Sequence, residues 1–270
     1  MNLYNINTVA CFEARILRRS WLFRVFTPLS LFIVACFQLV VQGNLLPWSS
    51  WNFIALSSYM PYLNASIVSV PLVIMVVLLA KDFWSGSKWD TMEMVYVRPM
   101  SNADFIIGKA WGNIRVFMGV ALISLVIGAM INLFLSDAPF SGFLYLFYWI
   151  VFLLPSLVFI LGLTFFIASL IHNRALTILF LLGFVFLTLY FLDTKGHGIF
   201  DFLASTIPNT YSDITGYPNL GFVLLQRLGW LLLGFGLIGY SITFLRRIPN
   251  RPGSRMVQFK FSTLFVIWGI

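Results

Sequence analysis

Six apolar runs of bilayer-crossing length, with almost no charge inside them, leave this chain few folds to choose from. The runs are Trp21–Val41, Tyr59–Ala80, Ile114–Leu135, Phe143–Ile171, Ala175–Leu192 and Phe222–Leu245. A hydrocarbon core is about 30 Å thick, so a helix needs about 20 apolar residues to cross it. No water is available there to satisfy backbone N–H and C=O groups, so such runs become helices. Composition agrees: the chain is 60% hydrophobic and 10% charged, whereas an ordinary soluble domain is about a quarter charged. The expectation is an all-α polytopic membrane protein with six transmembrane helices. Pro155 is expected to kink the long fourth run, because proline lacks an N–H and clashes with the preceding turn. Gln226 and Arg227 interrupt the sixth run early.

Lysine and arginine set the orientation. Arg15, Arg18, Arg19 and Arg24 precede or enter the first run; Lys81, Lys88, Arg98, Lys109 and Arg115 lie between the second and third. Arg174 joins the fourth and fifth, and Arg246, Arg247, Arg251, Arg255 and Lys260 follow the sixth. The alternate connections hold almost none: Lys195 is the exception in the Asp193–Gly221 loop. The positive-inside rule then places the N-terminus and residue 246 onward in the cytoplasm of a cell (inner) membrane protein. The net charge of +8 is spent on this pattern. It forms no continuous basic face, so no nucleic-acid partner is expected.

The flanking segments carry their own signals. Residues 1–20 are read as an amphipathic interfacial helix, with Ile6, Val9, Phe12, Ile16 and Leu17 on one side and Arg15, Arg18 and Arg19 on the other. Glu13 falls within the apolar arc. It either reaches water or a nearby arginine, or it partners a cation from the connection after the second run. The external loop, 193–221, contains a mixed apolar piece from Ile199 to Ile207 that is expected to form short helices dipping back into the outer leaflet. Backbone at that depth must pack against protein or a wet cavity. The basic tail, 246–270, ends in an apolar run, Phe261–Ile270, too short to span. It is read as a surface anchor or as the start of a further crossing, the second being preferred.

Catalytic chemistry is hard to find. Gly108-Lys109 is followed by Ala110, and Ala103 stands five residues before Gly108, so the phosphate-loop pattern fails at both ends. His172 and His197 fall on opposite sides of the membrane and cannot share a metal. Cys11 and Cys36 suggest no disulfide framework. No catalytic, cofactor-binding or metal-binding residues are therefore expected in this chain. Gln38, Asn64, Ser66, Ser69, Asn132 and Gln226 are polar residues within runs, where interhelical hydrogen bonding is their ordinary role. Gln38, Asn64, Asn132 and Arg227 are the candidates for a translocation path. Arg227 is the one charged residue clearly inside a run, Arg24 and Arg115 standing at run ends; charge there is costly, although its place near the outer end lets it snorkel outward. The relay of ionisable groups that an ion-driven transporter uses is missing.

The connection between the second and third runs carries the most specific pattern. Asp82 opens it, Thr91-Met92-Glu93 follows, then Arg98-Pro99-Met100-Ser101, and Ile107-Gly108-Lys109 closes it. This order resembles the first cytoplasmic loop of ABC-2 type permeases, the membrane subunits of one class of ATP-binding cassette transporter. Asp90 stands where that family usually has glycine. Glu13-Ala14-Arg15-Ile16-Leu17-Arg18 resembles the family's interfacial helix. The resemblance covers residues 5 to about 248. It implies a six-span permease domain, 21–245, with a cytoplasmic coupling loop, 81–113, and an ATPase-coupling surface. That surface would comprise Glu13, Arg15, Arg18, Asp82, Trp89, Asp90, Glu93, Arg98, Pro99, Met100 and Lys109. Asp90–Val97 suits a short coupling helix, begun by an aspartate cap and stopped before Pro99. The implied partners are an ATP-binding subunit on the cytoplasmic side, a second permease half and the lipid bilayer. ATP and magnesium would belong to the partner. The alternatives from other classes are a membrane scaffold of similar fold and a transporter that works without ATP.

Overall fold

The computed structural model describes residues 2–42, 57–84, 100–135, 139–171, 173–192, 201–204, 211–214, 216–244 and 262–269. These residues form helices and short connections; an isolated antiparallel bridge joins Ser212 and Gly216. Helix α1 is Leu3–Arg19, α2 Trp21–Gln42, α3 Tyr59–Trp84, α4 Asn102–Leu135 and α5 Gly142–Tyr148. A π-helical turn, Trp149–Leu153, carries α5 into α6, Leu154–Leu170. Helix α7 is Arg174–Leu187, extended by a second π turn, Thr188–Leu192, and α8 is Leu220–Phe244. Residues 262–269 form α9.

Five of these segments are long and apolar enough to cross a membrane: Trp21–Val40, Tyr59–Leu79, Asn102–Leu135, Gly142–Leu170 and Leu220–Phe244. A sixth apolar helix, Ala175–Tyr190, is shorter. The all-α, multi-pass architecture expected from the apolar runs is therefore present. Its outer surface agrees. Val25, Leu29, Phe32, Ile33 and Phe37 form an exposed stripe on α2, and Phe222, Leu225 and Leu228 do so on α8. Water would penalise such surfaces, whereas lipid does not.

Helix α6 is the centre of the bundle. Leu157, Ile160, Leu161 and Phe165 are almost fully buried within the main apolar core, and α6 packs against α3, α7 and most extensively α8. The α6–α8 contact rests on two glycines. A Cβ on Gly162 would come within 2.4 Å of the Gly234 carbonyl oxygen, and one on Gly234 within 2.8 Å of the Phe159 backbone. Small residues at such crossings let backbones approach closely, which is what drives helix association where lipid is as apolar as leucine. Pro155 lies midway along the continuous Gly142–Leu170 helix, immediately after the π turn. The wider turn falls where proline's missing N–H interrupts the hydrogen-bond ladder.

The third apolar run begins earlier than its hydrophobicity suggests. Helix α4 starts at Asn102 rather than Ile114 and extends 34 residues, about 50 Å at 1.5 Å per residue. That exceeds a hydrocarbon core by about 20 Å. Its first turn is capped by Ser101, whose Oγ accepts the Asp104 N–H at 3.1 Å. The connection expected over 81–113 is correspondingly shorter, since α3 continues through Trp84.

The loop preceding α8 enters the bundle as expected, but without forming helix where it is described. Asp201, Phe202, Leu203 and Ala204 are buried, and Ala204 has φ 60. Phe202 packs on Phe159, Phe184 and Trp230. Nearby, Tyr211 and Tyr217 pack together, and Tyr217 packs on Tyr148 and Phe147. Burial pushes the Tyr217 hydroxyl up to about 12, so it stays neutral at physiological pH. Asp213 accepts hydrogen bonds from both the N–H (3.2 Å) and the hydroxyl of Ser57, tying this segment to the start of α3.

The tail helix α9 lies along α8, with Ser262 at Gly239, Val266 at Gly236 and Gly269 at Gly229. This antiparallel course runs with the bundle, unlike that of a helix lying flat on the surface. The expected coupling helix, Asp90–Val97, lies outside the described residues.

Candidate functional site

Helix α1 and the first turns of α4 form a single clamped unit. The Asn2 side chain caps α1 by accepting the Tyr4 N–H, and the Asn2 N–H donates to Asp104 Oδ1 at 3.2 Å. At the crossing, Ala10 lies over Gly112, where an added Cβ would come within 2.6 Å of the Ala10 carbonyl oxygen. Gly108 receives Ile6 and Val9 in the same way, at 2.8 Å. With backbones this close, side chains at the margins can pair. Lys109 Nζ donates to Glu13 Oε1 at 3.0 Å, with both side chains about one-tenth exposed. Arg115 Nη1 donates to Asn7 Oδ1 at 3.1 Å. Lys109 also lies over the Phe105 ring and Arg115 over Trp111, each a favourable cation–π placement.

This arrangement decides between the two expectations for Glu13. Glu13 partners a cation from the connection after the second apolar run, not a nearby arginine. It also corrects the buried face of α1. Ile6, Ala10, Ala14 and Leu17 are buried, while Phe12 and Ile16 are exposed and Val9 is half-buried. Ala10 fits against Gly112, and Ile6 and Val9 against Gly108, which turns this face of α1 toward α4. What remains outward is a mixed surface of Leu3, Tyr4, Phe12, Ile16, Arg15, Arg18 and Arg19. Arg18 Nε donates to the Ala14 carbonyl of its own helix.

Of the other residues expected at an ATPase-coupling surface, Met100 is half-buried just before the Ser101 cap. Asp82 falls within the last turn of α3. The side chain of Asp82, together with Trp89, Asp90, Glu93, Arg98 and Pro99, lies outside the described residues.

Breaking the ion pair should be costly, because each charge would keep its burial and lose its counter-charge. A double-mutant cycle of Glu13→Gln and Lys109→Met, read by thermal unfolding in detergent, is expected to give a coupling energy of about 2 kcal/mol. Additive single effects would mean that the pair contributes nothing to holding α1.

At the opposite end of the bundle the polar residues of α2, α3 and α4 converge. Gln38, Asn64 and Asn132 are all buried. A Cβ on Gly128 of α4 would lie 1.8 Å from Asn64 Nδ2 and 2.7 Å from Gln38 Oε1. Asn64 Nδ2 donates to the Ser124 carbonyl at 3.3 Å, and Tyr145 Oη donates to the Gly128 carbonyl at 3.4 Å. Three of the residues expected along a translocation path therefore share one neighbourhood.

Arg227 does not join them, and it does not snorkel. It is 2% exposed, and its Nη1 and Nη2 donate to the carbonyls of Phe202 (3.0 Å) and Asp201 (3.1 Å). The Phe152 ring covers the guanidinium, and Ser156 Oγ also donates to the Phe202 carbonyl, at 2.5 Å. The guanidinium donates to two backbone oxygens that the inserted loop carries into the bundle. Sequence reasoning missed this pairing because its acceptors are main-chain atoms, which carry no residue signature.

No protein-family model and no curated protein matches this chain. Among the described residues no group of three His, Cys, Asp or Glu side chains is placed to hold a metal ion.

Proposed function

We propose that this chain is the membrane-spanning permease subunit of an ATP-binding cassette transporter of ABC-2 type. In this reading it sits in the inner membrane with six crossings and both α1 and the basic tail in the cytoplasm. It exports a hydrophobic or amphipathic substrate, and a separate subunit hydrolyses the ATP. Two permease halves pair, and two ATP-binding subunits dock beneath them.

The observation that carries this reading is the α1–α4 clamp. A soluble motor can act on a membrane helix only through an element rigidly joined to it. Helix α4 projects beyond the bilayer thickness, and α1 is locked to that projection by glycine–alanine packing and the Glu13–Lys109 pair. Force on α1 or on the 85–99 connection would reach α4 directly, and α4 carries Gly128 and Asn132 at its far end. Such a rigid lever is one of the recurring devices for conformational transmission. The order of the Thr91-Met92-Glu93, Pro99-Met100-Ser101 and Gly108-Lys109 elements supports the same reading, with Ser101 now serving as the α4 cap.

The test is affinity purification of the tagged full chain from native membranes. An ATP-binding subunit with a phosphate-binding loop is expected to co-purify and to hydrolyse ATP. Glu93→Arg is expected to release it while the thermal unfolding of the chain stays unchanged. Retention of that subunit by a folded variant lacking residues 85–99 would refute the proposed interface. Purification without any ATP-binding subunit would refute the transporter reading.

A further inference from the structure

The elbow where α1 meets α2 carries positive charge that the protein does not neutralise. Arg15, Arg18 and Arg19 lie in the last two turns of α1 and Arg24 in the first turn of α2, and all four are exposed. Of the carboxylates packed at α1, Glu13 is paired with Lys109 and Asp104 accepts the Asn2 N–H. Arg18 Nε donates to the Ala14 carbonyl. Among the described residues, the guanidiniums of Arg15, Arg19 and Arg24 make no hydrogen bond or ion pair.

Packing fixes the depth of this elbow. Ala10 lies over Gly112, and Phe23 packs on Phe117 with ring centroids 6.4 Å apart. Residues 11–22 therefore sit level with the stretch of α4 where polar first turns give way to the apolar run at Ile114. Trp21 and Trp111 stand at that level, 72% and 45% exposed. Indoles concentrate at the membrane–water interface, since the ring is apolar and its N–H is polar. The elbow is thus at headgroup depth.

The arginines share their faces with exposed apolar side chains. On α1, Phe12, Arg15, Ile16 and Arg19 follow the three- and four-residue spacing of one outward face. On α2, Trp21, Arg24 and Val25 begin the exposed stripe that continues through Leu29 and Phe32. Arg24 therefore faces lipid, and a soluble partner could cover it only by displacing bilayer. A charge on such a stripe is costly unless an anion accompanies it. Lipid phosphate is the anion that this depth supplies, and its oxygens match the planar fork of a guanidinium. Several cations in one patch favour lipids of net negative charge over zwitterionic ones, whose ammonium offsets the phosphate.

We infer that Arg15, Arg19 and Arg24, flanked by Trp21, bind the phosphate groups of anionic phospholipids at the α1–α2 elbow. The inference needs the membrane-crossing architecture and not the permease reading; no ATP-binding subunit enters it.

The test uses the purified full chain in detergent, with dioleoylphosphatidylglycerol and dioleoylphosphatidylcholine as probes. Native mass spectrometry is expected to show phosphatidylglycerol retained in preference, and the thermal unfolding temperature should rise with phosphatidylglycerol alone. Arg19→Gln combined with Arg24→Gln is expected to weaken phosphatidylglycerol binding about thirtyfold, or about fivefold for each arginine. Neither residue belongs to the expected ATPase-coupling surface. Arg18→Gln removes the same charge from the flank that bonds the Ala14 carbonyl and should leave binding nearly unchanged. If the double variant does not fold, Arg24→Gln alone should show its fivefold share. Equal retention of the two lipids, unchanged binding in a folded variant, or an equal loss from Arg18→Gln would overturn the inference. Stabilisation by soluble polyglutamate as large as that by phosphatidylglycerol would assign the arginines to an acidic protein partner and overturn it as well. Every readout is made without ATP, so it is independent of whether an ATP-binding subunit co-purifies.

Discussion

Replacing Arg227 with alanine is expected to destabilise the protein by about 3 kcal/mol, because the change removes charged donors from two carbonyl oxygens of the inserted loop. The Asp201 carbonyl would lose its Arg227 donor, while the Phe202 carbonyl would keep Ser156. The removed side chain would also leave a void beside Phe152. The damage should be local to the inserted loop. In an Ala204→Cys background, a membrane-impermeant maleimide should label position 204 only when Arg227 is also replaced. Arg227→Lys should recover part of the stability, because one ammonium cannot reach two carbonyls with the planar fork of a guanidinium. Equal stability and no labelling in Arg227→Ala would show that hydrophobic burial of Phe202 alone holds the loop.

The second large effect is expected at the α6–α8 crossing. Gly162→Val should cost about 3 kcal/mol or more, at or beyond the usual upper range for overpacking. The reason is that the new Cβ meets main chain, not a movable side chain. It would lie 2.4 Å from the Gly234 carbonyl oxygen, and backbone cannot rotate away. Separating α6 from α8 would disturb the most buried helix in the bundle. Gly183→Ala on α7 provides the contrast. Nothing lies within 4 Å of a Cβ there, so the helix-propensity gain of up to about 1 kcal/mol should appear unopposed. Thermal unfolding of both variants in one detergent distinguishes the cases. A Gly162→Val protein as stable as the parent would mean that the crossing relaxes without loss.

Much of the architecture is legible in the sequence because lipid imposes a simple rule. Apolar length gives helices, and the observed bounds of α2, α3 and α8 fall within a few residues of the hydrophobic runs. Helix α4 departs from that rule because Asp104, Lys109 and Asn113 are polar. A hydropathy argument stops where they begin, yet α1 covers them and the helix continues through them. The buried face of α1 is set by its neighbour for a related reason. Helical spacing ranks residues by size and polarity, and it cannot know that the neighbour presents glycines. Ala10 packs against Gly112, Ile6 and Val9 pack against Gly108, and Phe12 is left outside. The alternative in which Glu13 meets a distant cation was visible in the sequence, because a carboxylate in an apolar arc demands some partner. Choosing Lys109 required the crossing itself.

The candidate site divides in the same way. Gln38, Asn64 and Asn132 stood out as polar residues in apolar runs, each a sensible interhelical hydrogen-bonder by itself. Only the folded bundle brings them together around Gly128. Arg227 stood out too, but position along the run suggested an escape to the outer surface. The inserted loop closes that route and offers carbonyls in its place.

Composition and spacing alone gave helices long and apolar enough to cross a membrane several times, with most of the charge between or at the ends of those segments. These are one-dimensional properties, fixed by the free energy of moving each segment from water into hydrocarbon. Which glycine meets which alanine, which carboxylate finds Lys109 and which oxygens hold Arg227 depend on contacts between residues far apart in the chain. Such contacts are chosen by shape and by the need to satisfy buried polar atoms, and the folded bundle alone supplies both.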